Sequence, residues 1–196
     1  IINNAISLPQ IRHFDSFPSK VQDAINLLKS LKCSLLYIGT ISQWFDFKLI
    51  CEALDKKEDV QLVLIGPKDC DIPSHKQIHY IGSVERQYIY SLMEQASALV
   101  MPFIVNELIR SVNPVKMYEY IYMEKPIIAP HYGEMEKFLP YINLYHDNDE
   151  FMSLVDQLSK SELQISSEKG NEMKGFAEKN TWESRYEEVK KILFNV

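Results

Sequence analysis

Six short apolar runs, separated by helix-like segments, constrain the fold of this chain most strongly. The runs are "SLLYIG" (34–39), "VQLVLIG" (60–66), "IHYIG" (78–82), "ALVMPF" (98–103), "PIIAP" (126–130) and "INLYH" (142–146). Most are apolar at consecutive rather than alternating positions, which is typical of parallel strands covered on both faces. Helices are predicted between them, over 45–54, 86–95, 114–123, 133–139 and 150–159. Strand alternating with helix predicts an α/β protein with a three-layer, doubly wound parallel sheet.

The two ends of the chain differ from this central region. Residues 1–32 are predicted to be a linker or lead-in segment, because "NNAISLPQIRHF" (3–14) is polar with a proline, although "PSKVQDAINLLKSL" (18–31) favours a short helix. Residues 33–160 are predicted to form the sheet domain. Residues 161–196 are Glu/Lys-rich without a strand signal, which predicts a C-terminal helical tail. The start "IINNAIS", without methionine, suggests a piece of a longer protein.

The tail contains a predicted helix start and an apolar stripe. In "NTWE" (180–183), Asn180 is predicted as the N-cap and Glu183 as the third helical residue, as in a capping box. Trp182, Tyr186, Val189 and Leu193 then follow at helical spacing along one face. This stripe is expected to dock on the core or on an absent neighbouring domain.

Length and composition exclude several classes of protein. A chain of 196 residues fits one large domain, and a net charge of −6 argues against a nucleic-acid partner. No apolar run reaches the roughly 20 residues that span a bilayer, and no signal peptide is recognisable. The three cysteines lack a CxxC spacing, so we expect reduced thiols in a cytoplasmic protein, with neither a disulfide frame nor a metal site.

Glycine ends three of the predicted strands: Gly39, Gly66 and Gly82. In doubly wound sheets, ligands bind at the carboxyl ends of the strands, where glycine lets another molecule approach the backbone. Each glycine alone could simply make a tight turn. Three of them at one sheet edge favour a ligand cleft.

The stretch "SVNPVKMYEY" (111–120) carries the most chemistry. Asn113 suits an N-cap and Pro114 the first helical position, so the free N–H groups of this helix are predicted to face the cleft as an anion site. Lys116 adds a positive charge there, and Glu119 could accept hydrogen bonds from a vicinal diol such as a ribose. Together they would suit a nucleoside diphosphate. The alternative is an ordinary surface ion pair between Lys116 and Glu119, beside core tyrosines.

Several segments, taken in order, resemble the C-terminal, donor nucleotide-sugar-binding half of a GT-B retaining glycosyltransferase of glycosyltransferase group 1. They are "LLYIGTISQWFDFKLI", "VQLVLIGP", "IHYIGSV", "ALVMPFIVNELIRSVNPVKMYEYIYMEKPIIA" and "KNTWESRYEEVKKIL". The fourth segment is the most specific of these. The resemblance covers about residues 33 to 195 and implies a Rossmann-like half of a GT-B fold.

The resemblance implies roles for residues around the "SVNPVKMYEY" stretch. The family pattern has two glutamates separated by seven residues, of which the second contacts the donor ribose, and Glu119 matches this second position. Ser111 stands where the first glutamate would be. Between them, backbone amides from Asn113 to Lys116, including that of Val115, would bind the diphosphate.

Other predicted donor contacts lie on the strand-end loops. Many relatives carry an arginine and a lysine where this chain has Thr40 and Phe45, so Arg110 and Lys116 become the candidate charge partners. Gly39 and Thr40 would bring the backbone to the donor phosphate. "GPKD" (66–69), starting with Gly66, would approach the donor. The last such loop, predicted to flank the base, consists of Ile81, Gly82 and Ser83.

The implied function is transfer of a sugar from a nucleoside diphosphate sugar to an acceptor, without metal or other cofactor, in surface polysaccharide or glycan biosynthesis. The acceptor-binding domain would precede residue 1, so this chain alone should bind donor without transferring sugar. Membrane association would arise only peripherally, through that absent domain. The alternatives are half of a nucleotide-sugar epimerase and a non-catalytic nucleotide-binding module. A dehydrogenase is disfavoured because no GxGxxG follows a strand.

Overall fold

A computed structural model describes residues 2–9 and 16–194 of the chain. Six strands form one parallel sheet in the order β3-β2-β1-β4-β5-β6. They are β1 Cys33–Ile38, β2 Val60–Ile65, β3 Ile78–Gly82, β4 Ala98–Val100, β5 Ile127–Pro130 and β6 Asn143–Tyr145. Each strand lies within one of the six apolar runs or starts one residue before it. The predicted α/β fold class is therefore confirmed.

Eight α-helices occur in the described ranges. They are α1 Ser19–Ser30, α2 Phe47–Lys56, α3 Ile89–Met93, α4 Glu107–Arg110, α5 Val115–Tyr122, α6 Asn148–Ser159, α7 Ser167–Lys179 and α8 Trp182–Phe194. The segment predicted as a helix over 86–95 begins with a 3-10 turn, Arg86–Tyr88, and 133–139 is entirely of the 3-10 type, Gly133–Phe138. The short helix α4 was not predicted.

The sheet separates two apolar clusters, which makes the fold three-layered. One face packs against α1, α3, α5 and α7, with Ile25, Met117 and Met173 buried. The other face packs against α2 and α6, with Leu49 and Phe151 buried. Because both faces are covered, β1 is buried at every position, which explains why its sequence is apolar without alternation.

The lead-in region contributes to this core. Helix α1, predicted within it, is confirmed, and it buries Val21, Ala24, Ile25 and Leu28. The described N-terminal segment is also anchored, because the Ile6 N–H donates to the Asn180 carbonyl at 2.9 Å. Residues 10–15 of the predicted linker lie outside the described residues. The division of the chain at 32 and 160 stays a prediction.

The start of the tail helix differs from its prediction. Helix α8 begins at Trp182, and its cap is Thr181, whose Oγ1 accepts a hydrogen bond from the Ser184 N–H at 3.2 Å. The prediction of Asn180 as N-cap was therefore wrong by one residue. The reason is that Asn180 ends the preceding helix, where its Nδ2 donates to the Phe176 carbonyl at 2.7 Å.

The predicted stripe on α8 is largely solvent-exposed. Trp182 is 45% exposed, Tyr186 65% and Leu193 67%, and α8 has no buried residue. The stripe thus does not dock on the core described here. Over residues 2–9 and 16–194, none of the helices combines the length and apolarity needed to cross a bilayer.

Candidate functional site

The three glycines lie side by side at the carboxyl edge of the sheet, as predicted. The Gly39 N–H donates to the Ile65 carbonyl at 2.9 Å, and the Gly66 N–H donates to the Gly82 carbonyl at 3.1 Å. Gly66 has a φ of 140°, and a Cβ at this position would lie 2.0 Å from the Gly39 carbonyl oxygen. Only glycine therefore lets these two turns approach so closely.

A cleft of about 540 Å³ opens above this edge. Its floor is formed by the ends of β1 and β2, and its other walls come from the loops after β3 and β4 and from α4 and the start of α5. The lining is mostly apolar and includes Trp44, Phe103, Leu108, Ile109 and Val112. Ligands of doubly wound sheets bind at this position, outside the carboxyl ends of the strands.

The predicted site residues fall into two groups relative to this cleft. Five of them line it: Gly39, Thr40, Gly66, Ser83 and Lys116. The others do not line it, namely Ile81, Gly82, Arg110, Ser111, Asn113, Val115 and Glu119. Glu119 nevertheless accepts a hydrogen bond from Lys116, which is one of the lining residues. Arg110 and Ser111 are exposed, and the Ser111 hydroxyl donates to the Leu108 carbonyl within the same helical turn.

Helix α5 starts at the cleft, one residue later than predicted. It begins at Val115 with Pro114 as its cap, so the N-cap prediction for Asn113 was wrong. The Asn113 side chain instead donates to Asn3 Oδ1 at 3.0 Å, and the Asn113 carbonyl accepts from Asn4 Nδ2 at 2.7 Å. These long-range contacts draw Asn113 away from the capping position.

The backbone donors at this helix start have no partner among residues 2–9 and 16–194. Within the described part of the chain, no group accepts a hydrogen bond from the backbone N–H of Asn113, Val115 or Lys116. Asn3 and Asn4 hydrogen-bond to the side chain and the carbonyl of Asn113, and not to its N–H. These amides are therefore without an acceptor among the described residues, and they carry the partial positive charge of a helix start.

Glu119 lies immediately behind Lys116 and is paired with two cations. Its Oε2 accepts from Lys116 Nζ at 2.7 Å, and its Oε1 accepts from Arg86 Nη2 at 3.0 Å. Glu119 is only 5% exposed, whereas the side chains of Lys116 and Arg86 are 30% and 69% exposed. The pair is thus formed around a buried carboxylate, unlike the ordinary surface pair considered above.

A tyrosine hydroxyl completes the surroundings of this carboxylate. The Tyr90 hydroxyl is buried and lies beside both the Arg86 guanidinium and the Glu119 carboxylate. Burial, and then the negative charge of Glu119, raise the pKa of Tyr90 to about 12. The hydroxyl is therefore protonated at neutral pH and remains available as a donor.

Three residues that position the site were missed by sequence reasoning. Arg86 pairs with a residue 33 positions away, which no local pattern shows. Lys20 on α1 donates to the Ser83 carbonyl at 2.8 Å and so holds the loop after β3. Tyr120 lies in the core, as the alternative interpretation expected, and its hydroxyl in addition accepts from the Ile38 N–H at 3.0 Å.

The Tyr120 contact fixes α5 to the end of β1. Strand β4 pairs with β1 only at Leu35 and Leu36, so the N–H of Ile38 lacks a strand partner on that side. Tyr120 is fully buried, and burial raises its pKa, so its hydroxyl stays neutral. The contact thereby connects α5 to the strand that precedes the turn of Gly39 and Thr40.

Replacing Tyr120 by phenylalanine should lower the free energy of unfolding by about 1–3 kcal/mol, because the Ile38 N–H would be left buried and unsatisfied. Urea denaturation measures the change. Tyr186→Phe is the matched control, since Tyr186 is 65% exposed and should change stability by less than about 0.5 kcal/mol. Equal stability of the Tyr120 variant and the control would contradict the assigned role.

The loop after β1 contains the two positions at which many relatives in the resembled family carry basic residues. Thr40 is exposed at the cleft, and Phe45 is 3% exposed beneath it. The Phe45 ring contacts Tyr37 edge-on, with centroids 5.0 Å apart. Phe45 belongs to the core and does not line the cleft.

The sheet order and the position of the cleft define a Rossmann-like α/β unit of the kind found in GT-B glycosyltransferases. In comparisons with known proteins, TuaH of Bacillus subtilis (strain 168), assigned as a teichuronic acid biosynthesis glycosyltransferase, is 24% identical over 166 residues. This match covers 79% of the present chain and 41% of TuaH. No family model matches the chain.

Solved structures of glycosyltransferases share the fold. HepE of Anabaena, in complex with UDP and glucose, has a TM-score of 0.68 at 12% identity, covering 92% of this chain and 53% of HepE. Sucrose-phosphate synthase of Thermosynechococcus elongatus has a TM-score of 0.68 at 14% identity, covering 89% and 48%. The chain thus spans about half the length of these proteins. The expected resemblance to one half of a GT-B glycosyltransferase is confirmed at the level of the fold.

Proposed function

We propose that this chain is the donor-binding half of a glycosyltransferase that uses a nucleoside diphosphate sugar. One observation carries the proposal: Lys116, in the first turn of α5, lines the glycine-edged cleft, and the amides of Asn113, Val115 and Lys116 at this helix start have no acceptor among the described residues. Such a helix start binds phosphate groups. The names of the similar proteins support it, since TuaH is assigned as a glycosyltransferase and HepE was solved with UDP.

The same groups give a mechanism for the departure of the nucleoside diphosphate. Negative charge grows on the diphosphate as its bond to the sugar breaks. Fixed N–H groups and the Lys116 ammonium would offset this charge without having to reorganise, which is how preorganised sites lower a barrier. In this proposal the chain itself supplies the positive charge, independently of a metal.

Glu119 is proposed to bind the ribose. In the structure its two oxygens are paired with Lys116 and Arg86, and Lys116 stands between it and the cleft. A carboxylate offers about four acceptor positions, so two pairings leave capacity for hydroxyl donors. When a diphosphate attracts Lys116 away, Glu119 Oε2 becomes available to the ribose.

The remaining predicted contacts keep their proposed roles. Gly39 and Thr40 would meet the donor phosphates, and the loop of Ile81, Gly82 and Ser83 would flank the base. Gly66 would admit the donor to the sheet edge. Arg110 and Ser111 are proposed only as outer contacts, because both are exposed on or beside α4.

The longer protein would bring an acceptor-binding domain before residue 1. The exposed stripe of Trp182, Tyr186 and Leu193 would face that domain. The proposed role is in surface polysaccharide or glycan biosynthesis at the cytoplasmic side, with any peripheral membrane contact made by the other domain. The isolated chain should bind donor and transfer no sugar.

Isothermal titration calorimetry with UDP, GDP and ADP tests the proposal. One of them should bind, and Lys116→Gln should weaken that binding about ten- to hundredfold, because a hydrogen bond between charged groups is lost. The corresponding monophosphate should be affected less. Lys76→Gln is the control, because Lys76 is exposed at the opposite sheet edge, just before β3. Equal losses in both variants, or no binding by the unchanged chain, would refute the proposal.

A further inference from the structure

The ion pair between Arg86 and Glu119 joins two sides of the cleft. Arg86 lies in the turn after β3, three residues beyond Ser83, and Glu119 lies on α5. The 3.0 Å contact between them therefore ties the loop proposed to flank the base to the helix proposed to bind the diphosphate and ribose. No motif of the resembled family predicted this arginine.

The two cations that pair with Glu119 differ in their access to a ligand. Lys116 lines the cleft, whereas Arg86 does not. A diphosphate in the cleft would compete with Glu119 for the Lys116 ammonium, since phosphate oxygens and carboxylate oxygens both accept hydrogen bonds from this cation. Arg86 contacts the other carboxylate oxygen, Oε1, so its bond can persist while Oε2 is released.

Without Arg86, the loss of Lys116 would leave Glu119 as a nearly buried carboxylate with no charged partner. Glu119 is 5% exposed, and burial of an unpaired charge is unfavourable. The carboxylate would then turn toward solvent, and its oxygens would no longer be held in place to accept hydrogen bonds from hydroxyl groups.

We propose that Arg86 is a positioning residue of the donor site: it keeps the Glu119 carboxylate oriented toward the ribose hydroxyls after Lys116 has turned to the diphosphate. This inference rests on the proposed function. It assigns different roles to the two cations that pair with Glu119. Lys116 would contact the ligand directly, and Arg86 would act on it through Glu119.

The test compares UDP with 2′-deoxy-UDP, which lacks one of the two ribose hydroxyls. The unchanged chain should prefer UDP about tenfold or more, as expected for one hydrogen bond to a charged group. In Arg86→Gln this preference should fall to about threefold or less, with the affinity for 2′-deoxy-UDP nearly unchanged. Arg86→Lys, which restores the charge, should regain part of the preference.

Each outcome of these titrations is decisive. If Arg86→Gln weakens UDP and 2′-deoxy-UDP equally, Arg86 acts on the phosphates or on the fold, and the positioning role is wrong while the donor site stands. An unchanged preference also overturns the positioning role. If the unchanged chain binds GDP or ADP instead of UDP, the same titrations are made with that nucleotide and its 2′-deoxy form. Failure to bind any of the three would overturn the donor assignment, and this inference with it. Because the Arg86 side chain is 69% exposed, we expect the melting temperature to change little.

Discussion

Gly66→Ala should lower the free energy of unfolding by about 3 kcal/mol or more. A side chain at this position combines an unfavourable φ of 140° with a Cβ placed 2.0 Å from the Gly39 carbonyl oxygen. The two strand-end turns would have to separate, and this separation would also distort the cleft that both glycines line. Urea denaturation measures the stability, and titration with UDP measures the effect on the cleft.

Gly175→Ala is the matched control for this substitution. Gly175 lies within α7, and no atom lies within 4 Å of its added Cβ. Alanine should therefore raise stability by about 0.5–1 kcal/mol, since glycine is unfavourable inside a helix. If both variants changed stability in the same direction, the close approach of the Gly39 and Gly66 turns would be refuted.

Glu119→Ala should weaken UDP binding about ten- to hundredfold, because the ribose hydroxyls lose a charged acceptor. The same substitution releases Lys116 and Arg86 from their ion pairs. Affinity for inorganic pyrophosphate, which has no ribose, should therefore be unchanged or increased. Calorimetric titration with both ligands separates the two effects.

Glu58→Ala serves as the control for Glu119→Ala. Glu58 is exposed just before β2, at the opposite sheet edge, and its substitution should leave both titrations unchanged. A parallel loss of UDP and pyrophosphate in the Glu119 variant would mean that this carboxylate supports the phosphate site structurally. An unchanged UDP affinity would remove the ribose assignment altogether.

The strands could be predicted because each carries its own signal. Burial on both faces makes the runs around Leu36 and Val63 apolar at consecutive positions, apart from Ser34 and Gln61 near their starts. Helix types were less predictable, since Gly133–Phe138 forms 3-10 turns although its local sequence suits an α-helix. The predicted helix starts were wrong where a group from a distant part of the chain binds the predicted cap. The Asn113 side chain, for example, donates to Asn3.

The candidate site was only partly visible in the sequence. Glycines at strand ends and the cation Lys116 beside a helix start are local patterns, and the structure brings Gly39, Gly66 and Lys116 to one cleft. Contacts between residues on different helices and strands leave no such local pattern in the sequence. Arg86 reaches Glu119 from another turn of the chain, and the Tyr120 hydroxyl reaches Ile38 across 82 positions.

Backbone NMR of the chain titrated with UDP tests the central claim most directly, namely that a diphosphate binds the unoccupied amides at the start of α5. We expect saturable shifts that are largest for the amide signals of Asn113, Val115 and Lys116, with smaller shifts at Thr40 and Ser83. The amide of Lys76, at the opposite sheet edge, should stay unchanged. Shifts confined to other surfaces, or no saturable shift with any of UDP, GDP and ADP, would contradict the account.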